Sequence, residues 1–297
     1  MKRLLFFINP NAGHAEIRSS LMEVLAIFCK GGYEPTVHMT TGPRDITRQI
    51  ATRGTQYDLI VCTGGDGTLN EAVSGLMELP YEKRPPLGYI PGGTVNDVAS
   101  TLGLSKDPIR AAQEIVGGRL YPLDIVSFGP DRYFTYVAAF GIFTDVPYET
   151  PQEDKRIWGR LAYIMNGAGA LGRLKPTHVR VYYEDRKEEA DVLVGLVTST
   201  TSVGGFKATK DLGISLNDGL YEMILVRATK TLAEFNLAAT RALRLDFEND
   251  SFISAQTGAL RFEFDEPVSW TVDGEFGGSV TEVEIHNEHR AIDIVVP

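Results

Sequence analysis

The chain has 297 residues, 43% of them hydrophobic and 23% charged, and a formal net charge of −10. That length is long for one hydrophobic core and predicts two domains, and the composition is that of a globular protein without low-complexity segments. Excess acid without a basic cluster argues against nucleic acid as a partner, and against attraction to anionic lipid by charge alone.

Met1-Lys2-Arg3-Leu4-Leu5-Phe6-Phe7-Ile8 stops at Asn9-Pro10, too short an apolar run for a secretion signal and without a cleavage site. Arg3–Ile8 is therefore expected as a strand. Ala15–Lys30 sets Ile17, Leu21, Val24, Leu25 and Phe28 on one helical face. Glu34–Met39 reads as a strand, Arg44–Arg53 as a helix, Asp58–Cys62 as a strand and Leu69–Met77 as a helix. After the proline-rich Pro80–Pro86 come a strand at Leu87–Ile90, a helix from Asn96, a helix over Pro108–Val116 and a strand at Leu120–Val126. This βαβα order predicts a doubly wound parallel sheet covered on both faces, with ligands at the carboxyl ends of its strands.

Beyond Asp124 the pattern changes. Tyr133–Ala139, Val179–Tyr183, Asp191–Thr198, Tyr221–Val226, Phe252–Ala255, Ala259–Phe264, Val268–Val272, Val280–Ile285 and Ile292–Val296 read as strands, many joined by turn residues, as in an antiparallel β-sandwich. Two helical segments interrupt them, Ile157–Leu171 and Leu232–Leu243. The expected division is 1–126 for the α/β domain and 127–297 for the sandwich, with the last strand free to return to the first domain. Residues 1–126 carry 12 basic and 13 acidic side chains and 127–297 carry 17 and 26, so the acid excess belongs to the second domain. No window approaches the roughly 18 apolar residues of a membrane span. Cys29 and Cys62 read as buried free thiols in a reducing cytoplasm.

Three glycine- or asparagine-rich turns follow the strands of the first domain. Gly64-Gly65-Asp66-Gly67-Thr68 lies between a strand and a helix, where glycines let backbone N–H groups approach an anion at a helix N-terminus. Asp66 would repel bare phosphate, which makes sense if a cation lies between them. Asn9-Pro10-Asn11-Ala12-Gly13 and Pro91-Gly92-Gly93-Thr94-Val95-Asn96-Asp97 would emerge at the same edge. Any one of them is an ordinary turn or helix cap. Three together, two carrying an aspartate, suit a polyphosphate–Mg²⁺ site.

Two later stretches read first as turns. Asp273-Gly274 within Val272-Asp273-Gly274-Glu275 is a hairpin signal, and Leu216-Asn217-Asp218-Gly219-Leu220 is an Asx turn into a strand. Other patterns carry less. Gly167-Ala168-Gly169-Ala170-Leu171-Gly172 has dinucleotide-loop spacing but follows a helix rather than a strand. His286 and His289 lack zinc-site spacing, and neither a P-loop nor a Gly-x-Ser-x-Gly elbow is present.

Together these residues resemble the soluble bacterial diacylglycerol kinases, among the lipid kinases that include the sphingosine kinases. The resemblance covers nearly the whole chain and rests on Asn9–Gly13, Gly64–Glu71, Gly93–Asp97, Asp124, Asn217-Asp218-Gly219 and Val272–Glu275. The Gly-Gly-Asp-Gly loop alone is shared with NAD kinases and related to one in phosphofructokinases. The resemblance implies an NAD kinase/phosphofructokinase-like first domain and Mg²⁺-dependent transfer of the ATP γ-phosphoryl group to a lipid hydroxyl, with diacylglycerol giving phosphatidic acid. Carried over by position, Asn9, Pro10, Asn11, Ala12, Gly13, Thr40, Gly65, Asp66, Gly67, Thr68, Leu69, Asn70, Glu71 and Thr94 would contact ATP. Asp66, Asp97 and Asp124 would form the acidic network around catalytic Mg²⁺, and Glu275 would be the base. A second, structural Mg²⁺ would lie at Asp218 with the carbonyls of Ser215 and Leu220. Phe140, Ile142, Phe143 and Val146 beside Gly141 would wall the acceptor, or serve as ordinary core.

The chain departs from the family at Ser100, near Thr201 and at His14, which bears on lipid identity more than on nucleotide binding. The expectation is a cytoplasmic enzyme, peripheral to the inner face of the membrane, where its lipid partner lies. The exposed edges of a sandwich leave a homodimer open. The rivals are a kinase acting on a sphingoid base, phosphatidylglycerol or NAD, and a catalytically silent nucleotide-binding regulator.

Overall fold

Leu4-Leu5-Phe6-Phe7-Ile8 is apolar at every position and buried at every position, the signature of a strand covered on both faces. It forms the centre of the first of two units in a computed structural model that describes residues 1–10, 16–93, 96–141, 175–199, 202–203, 206–207, 215–244 and 246–297. The expected helix at 157–171 and the pattern at 167–172 lie outside the described residues, as do His14 and Thr201.

The first unit comprises Met1–Ile125 and Glu288–Pro297. In chain order it holds β1 (Lys2–Ile8), α1 (Glu16–Lys30), β2 (Tyr33–Met39), α2 (Asp45–Arg53), β3 (Leu59–Gly64), α3 (Asp66–Met77), β4 (Leu87–Pro91), α4 (Asp97–Leu102), α5 (Pro108–Gly117) and most of β5 (Arg119–Phe128). Strands β4, β3, β1 and β2 lie side by side, all parallel. On one face Leu4, Phe6, Leu59 and Val61 pack with Val24 and Phe28 of α1 and with Ala111, Ala112 and Ile115 of α5. The alternate residues Leu5, Phe7, Ile60 and Cys62 are buried too, and α3 lies against β3. Asp107 caps α5 by accepting from Arg110 N at 2.7 Å, with Pro108 as its first helical residue.

The second unit, Val126–Asn287, is built largely from antiparallel strands. They are β6 (Arg132–Phe134), β7 (Val137–Gly141), β8 (Thr177–Tyr183), β9 (Arg186–Thr198), the two-residue pair β10 (Ser202–Val203) and β11 (Phe206–Lys207), β12 (Tyr221–Arg227), β13 (Phe252–Thr257), β14 (Ala259–Val272) and most of β15 (Glu275–Val296). Strands β9 and β14 are long enough to pair twice. The first half of each pairs with β8 and the second half with β7, so four strands close a ring of pairings. Phe140, Phe262, Phe264 and Trp270 fill its core, with ring centroids 4.6–6.2 Å apart. Helix α6 (Leu232–Leu243), started by a Thr231–Glu234 capping box, lays Phe235, Ala238 and Ala242 against Val137, Leu196 and Ile224.

Several elements differ from expectation. The predicted strands at 259–264 and 268–272 are one strand whose register shifts between Glu263 and Val268. Asp265-Glu266-Pro267 looks like a break in the sequence, yet an irregularity tolerates a proline that cannot donate to the ladder. Likewise 280–285 and 292–296 belong to the single β15. It begins in the second unit, passes Arg290 in the left-handed region (φ +50°), and ends in the first beside β4, pairing Ile294 with Leu87. Arg84 anchors this return by donating to the carbonyls of Met77, Leu79 and Ala291. The single expected strand at 133–139 is two, β6 and β7. Cys62 is buried, but Cys29 is exposed, on the outer face of α1.

Glu222 of β12 pairs with Gln256 of β13, whose Nε2 donates to Oε1 at 3.2 Å. Burial lifts its carboxyl from 4.5 to about 7, against the Gln256 bond and aided by the Asp218 charge. An acid raised on folding favours the folded state below its unfolded pKa, and that contribution is lost as the pH climbs through 7, by on the order of 3 kcal/mol in all. Glu222→Gln should therefore raise the melting temperature relative to the parent more at pH 8 than at pH 5. Equal differences at the two pH values would refute the assignment.

Candidate active site

Three turns leave the carboxyl ends of the neighbouring parallel strands β1, β3 and β4. Those after β3 and β4 are packed together so closely that glycine is obligatory. Gly92 N donates to Gly64 O at 2.7 Å. A methyl group on Gly93 would lie 2.6 Å from Gly65 Cα, and within the β3 turn one on Gly64 would collide with the Thr68 side chain. Gly65 is the N-cap of α3 and supplies no capping side chain, and the Asp66 carboxylate stands in the helix's first turn. A glycine turn at a helix start is of the kind that can take an anion on its backbone N–H groups.

Asn96 holds the two turns in register, in a left-handed conformation (φ +56°) that asparagine tolerates. Its Oδ1 accepts from Gly93 N at 3.1 Å and from the Tyr89 hydroxyl at 3.0 Å, while its own N donates to Asp66 Oδ2 at 3.0 Å. The Tyr89 hydroxyl also reaches Gly64 O at 2.9 Å. Burial, with the charge of Asp66, raises the Tyr89 phenol well above its usual value and keeps it a donor. Tyr89 carries no sequence motif, and Asn96 reads from the sequence as part of the third turn and the start of a helix, without this bridging role. The legible signal was an asparagine three residues after a glycine pair, where a left-handed residue is needed.

The other predicted nucleotide residues divide. The Asn9 side chain reaches Thr68 Oγ1 at 3.4 Å, tying the β1 turn to α3, and Pro10 O accepts from Arg18 at 2.8 Å. Thr40 continues β2, with its N donating to Ile8 O. Gly67 and Thr68 stand in the first turn of α3, and Asn70 accepts from Ser74 at 3.4 Å. Leu69 is fully buried, because the helix that starts at Asp66 turns it into the core. The Glu71 carboxylate accepts from the backbone N of Arg44 at 2.8 Å and of Ile46 at 3.2 Å, so it steadies the start of α2. Beside it, burial would raise the Asp45 carboxyl, but bonds from His38 and Thr41 prevail and hold it down at about 2. Asn11, Ala12, Gly13 and Thr94 lie outside the described residues.

Asp97 is buried at the start of α4, and Asp124 is buried on β5. Asp124 Oδ1 accepts from Arg290 N at 2.6 Å, and His289 Nδ1 stands 3.2 Å from the same oxygen. Among the described residues no three His, Cys, Asp or Glu side chains are gathered closely enough to hold a metal ion directly.

In the second unit Asp273 (φ +46°) and Gly274 (φ +82°) form a two-residue hairpin turn, with Val272 paired to Glu275 across it. Glu275 is exposed at the first position of β15 and Asp273 is buried. Asp218 Oδ1 accepts from Leu220 N at 3.0 Å, the Ser215 hydroxyl donates to Asn217, and Leu220 O accepts from Asn287 Nδ2 at 3.1 Å, an Asx turn seated on β15. Phe140 is fully buried in the aromatic core, so it is core and not an acceptor wall. Ile142, Phe143 and Val146 lie outside the described residues.

A family model described as the diacylglycerol kinase catalytic domain matches residues 3–128. A diacylglycerol kinase of Bacillus subtilis (strain 168) is 37% identical across 100% of this chain and 97% of its own length. One from Staphylococcus epidermidis is 35% identical, over 100% of this chain and 92% of that protein. Among solved structures, a diacylglycerol kinase from Bacillus anthracis superposes with a TM-score of 0.78 at 20% identity, covering 100% of this chain and 97% of that one. A second Bacillus anthracis structure of this type gives a TM-score of 0.85 at 23% identity, over 100% and 95%. At those identities the structural likeness is one of fold.

Proposed function

The chain belongs to the diacylglycerol kinase family, and from that premise we propose that it transfers the γ-phosphoryl group of ATP to the free hydroxyl of diacylglycerol, giving phosphatidic acid. The observation that carries the reading is the pair of glycine turns stacked at the start of α3, where a side chain on Gly93 would collide with Gly65. Phosphoryl transfer asks for positioning and charge neutralisation rather than covalent work by the protein, and such a cradle serves the first of these. In finer terms, we read the first unit as an NAD kinase/phosphofructokinase-like nucleotide domain and the second as an antiparallel sandwich that handles the acceptor.

Asn9, Gly65, Gly67 and Thr68 would border the phosphates. The carboxylates of Asp66, Asp97 and Asp124 are hard oxygen donors that suit Mg²⁺, held through its water shell. Held there, such an ion would supply neutralisation of charge on the phosphate oxygens. Glu275 takes the proton of the attacking hydroxyl as general base. Asp218, with the carbonyls of Ser215 and Leu220, would hold a structural cation, and Leu220 O keeps a second lone pair beside its bond from Asn287. Among the described residues no helix is long and apolar enough to cross a membrane, so we place the lipid encounter at the bilayer surface.

The test is purified protein with Mg-ATP and a panel of acceptors in mixed micelles: diacylglycerol, sphingosine, phosphatidylglycerol and, in solution, NAD. Diacylglycerol should be the preferred acceptor, with phosphatidic acid as product. Failure to form phosphatidic acid with any divalent metal would overturn the proposal. ATP binding without turnover on any acceptor would favour the silent regulator.

A further inference from the structure

The hairpin that carries Glu275 is fastened by a buried carboxylate with four hydrogen-bond donors. Asp273 Oδ2 accepts from Thr135 N at 2.8 Å and Thr135 Oγ1 at 2.9 Å. Oδ1 accepts from Tyr136 N and Val137 N, each at 3.1 Å. A fifth bond runs from Asp273 N to Val137 O at 2.8 Å. Three successive backbone N–H groups of the β6–β7 connection thus converge on one side chain.

The carbonyl side of that connection is held as firmly. Tyr136 O accepts from Thr198 Oγ1 at 2.8 Å and from Ser199 N at 3.2 Å, and Thr135 O accepts from Ser199 Oγ at 3.2 Å. Thr135, Thr198, Ser199 and Asp273 are all buried. The Tyr136 hydroxyl lies over Gly274, where an added methyl would meet it at 3.3 Å.

A two-residue turn with both residues at positive φ needs only asparagine or aspartate followed by glycine. It does not need a charge. The buried carboxylate is therefore in excess of what the turn requires, and its charge-assisted bonds aim the hairpin as well as form it. We propose that Asp273 is a positioning residue for Glu275: by fastening the turn to residues 135–137 it sets where the Glu275 carboxylate stands. This rests on the reading of Glu275 as the base.

Asp273→Asn isolates the effect, because asparagine is an equally good turn former while either orientation of its amide presents an N–H₂ group to two donors. Turnover should fall on the order of 100-fold, as for a base misplaced by an ångström, with KM for ATP within about threefold. The decisive readout is the same substitution in a Glu275→Gln background, measured as residual phosphatidic acid formation per ATP-binding site. If Asp273 acts through Glu275, it causes no further loss there beyond about twofold. Thr135→Val, which removes one donor and keeps the shape, should show the same pattern at about three- to tenfold and serves if Asp273→Asn does not fold. Equal losses in both backgrounds, or Asp273→Asn turning over like the parent, would overturn the positioning role alone. Near-parental turnover by Glu275→Gln would instead overturn the base assignment, and the positioning role with it.

Discussion

Glu275→Gln should lose on the order of 10²–10⁴ in turnover, the usual contribution of a positioned general base, while binding Mg-ATP within about threefold of the parent. Glutamine keeps the size and hydrogen-bonding reach of the side chain but cannot take a proton. The residue sits at the exposed first position of β15, directly after a turn whose backbone is fixed by Asp273, so its replacement should leave folding intact. Phosphatidic acid formation and calorimetric titration with Mg-ATP measure the two quantities separately. A large loss of nucleotide affinity with retained chemistry would assign Glu275 to ground-state binding instead.

Gly93→Ala should act at the opposite step, weakening Mg-ATP binding about ten- to hundredfold. The added methyl would stand 2.6 Å from Gly65 Cα and 2.9 Å from Asn96 Oδ1. Neither neighbour is a flexible side-chain end: one is backbone, and the other is held by Tyr89 and Gly93 N. Forcing them apart costs about 1–3 kcal/mol and opens the cradle that the two turns form together. Gly117→Ala is the matched control, since nothing lies within 4 Å of its added methyl. Parental affinity in Gly93→Ala, read by titration with Mg-ATP, would show that the stacked turns do not hold the nucleotide.

Much of the first unit was legible because its signals are local. Leu4–Ile8 can only be a strand buried on two sides, and the spacing of Ile17, Val24 and Phe28 makes α1 amphipathic. Strand ends in the second unit were less legible. Asp265-Glu266-Pro267 and Asn287–Arg290 have the composition of connections, yet β14 and β15 run through them with a register shift and a left-handed residue. A bulge looks like a turn from within one strand and is distinguished only by its partner strand.

The candidate site divides along the same line. Gly65 and Gly67 announce themselves, because few side chains suit so tight a strand-to-helix turn, and Asp66 stands out as a carboxylate between them. Leu69 and Glu71 belong to the same motif, but α3 turns the first into the core and gives the second to the start of α2. Tyr89 reads as one more apolar strand position until its hydroxyl is seen between Gly64 and Asn96.

By itself, then, the sequence determined which segments are helix or strand in the first unit, where its glycines must stand, and which acids and amides accompany them. Those follow from periodicity and backbone sterics, which act between near neighbours in the chain. Only the tertiary structure decided that Gly93 closes on Gly65, that β15 ends beside β4, and that the Asp273 carboxylate is bound by residues 135–137. Each of these is a contact between segments far apart in the chain. No local rule encodes such a contact, because its partner is chosen by the packing of the whole unit.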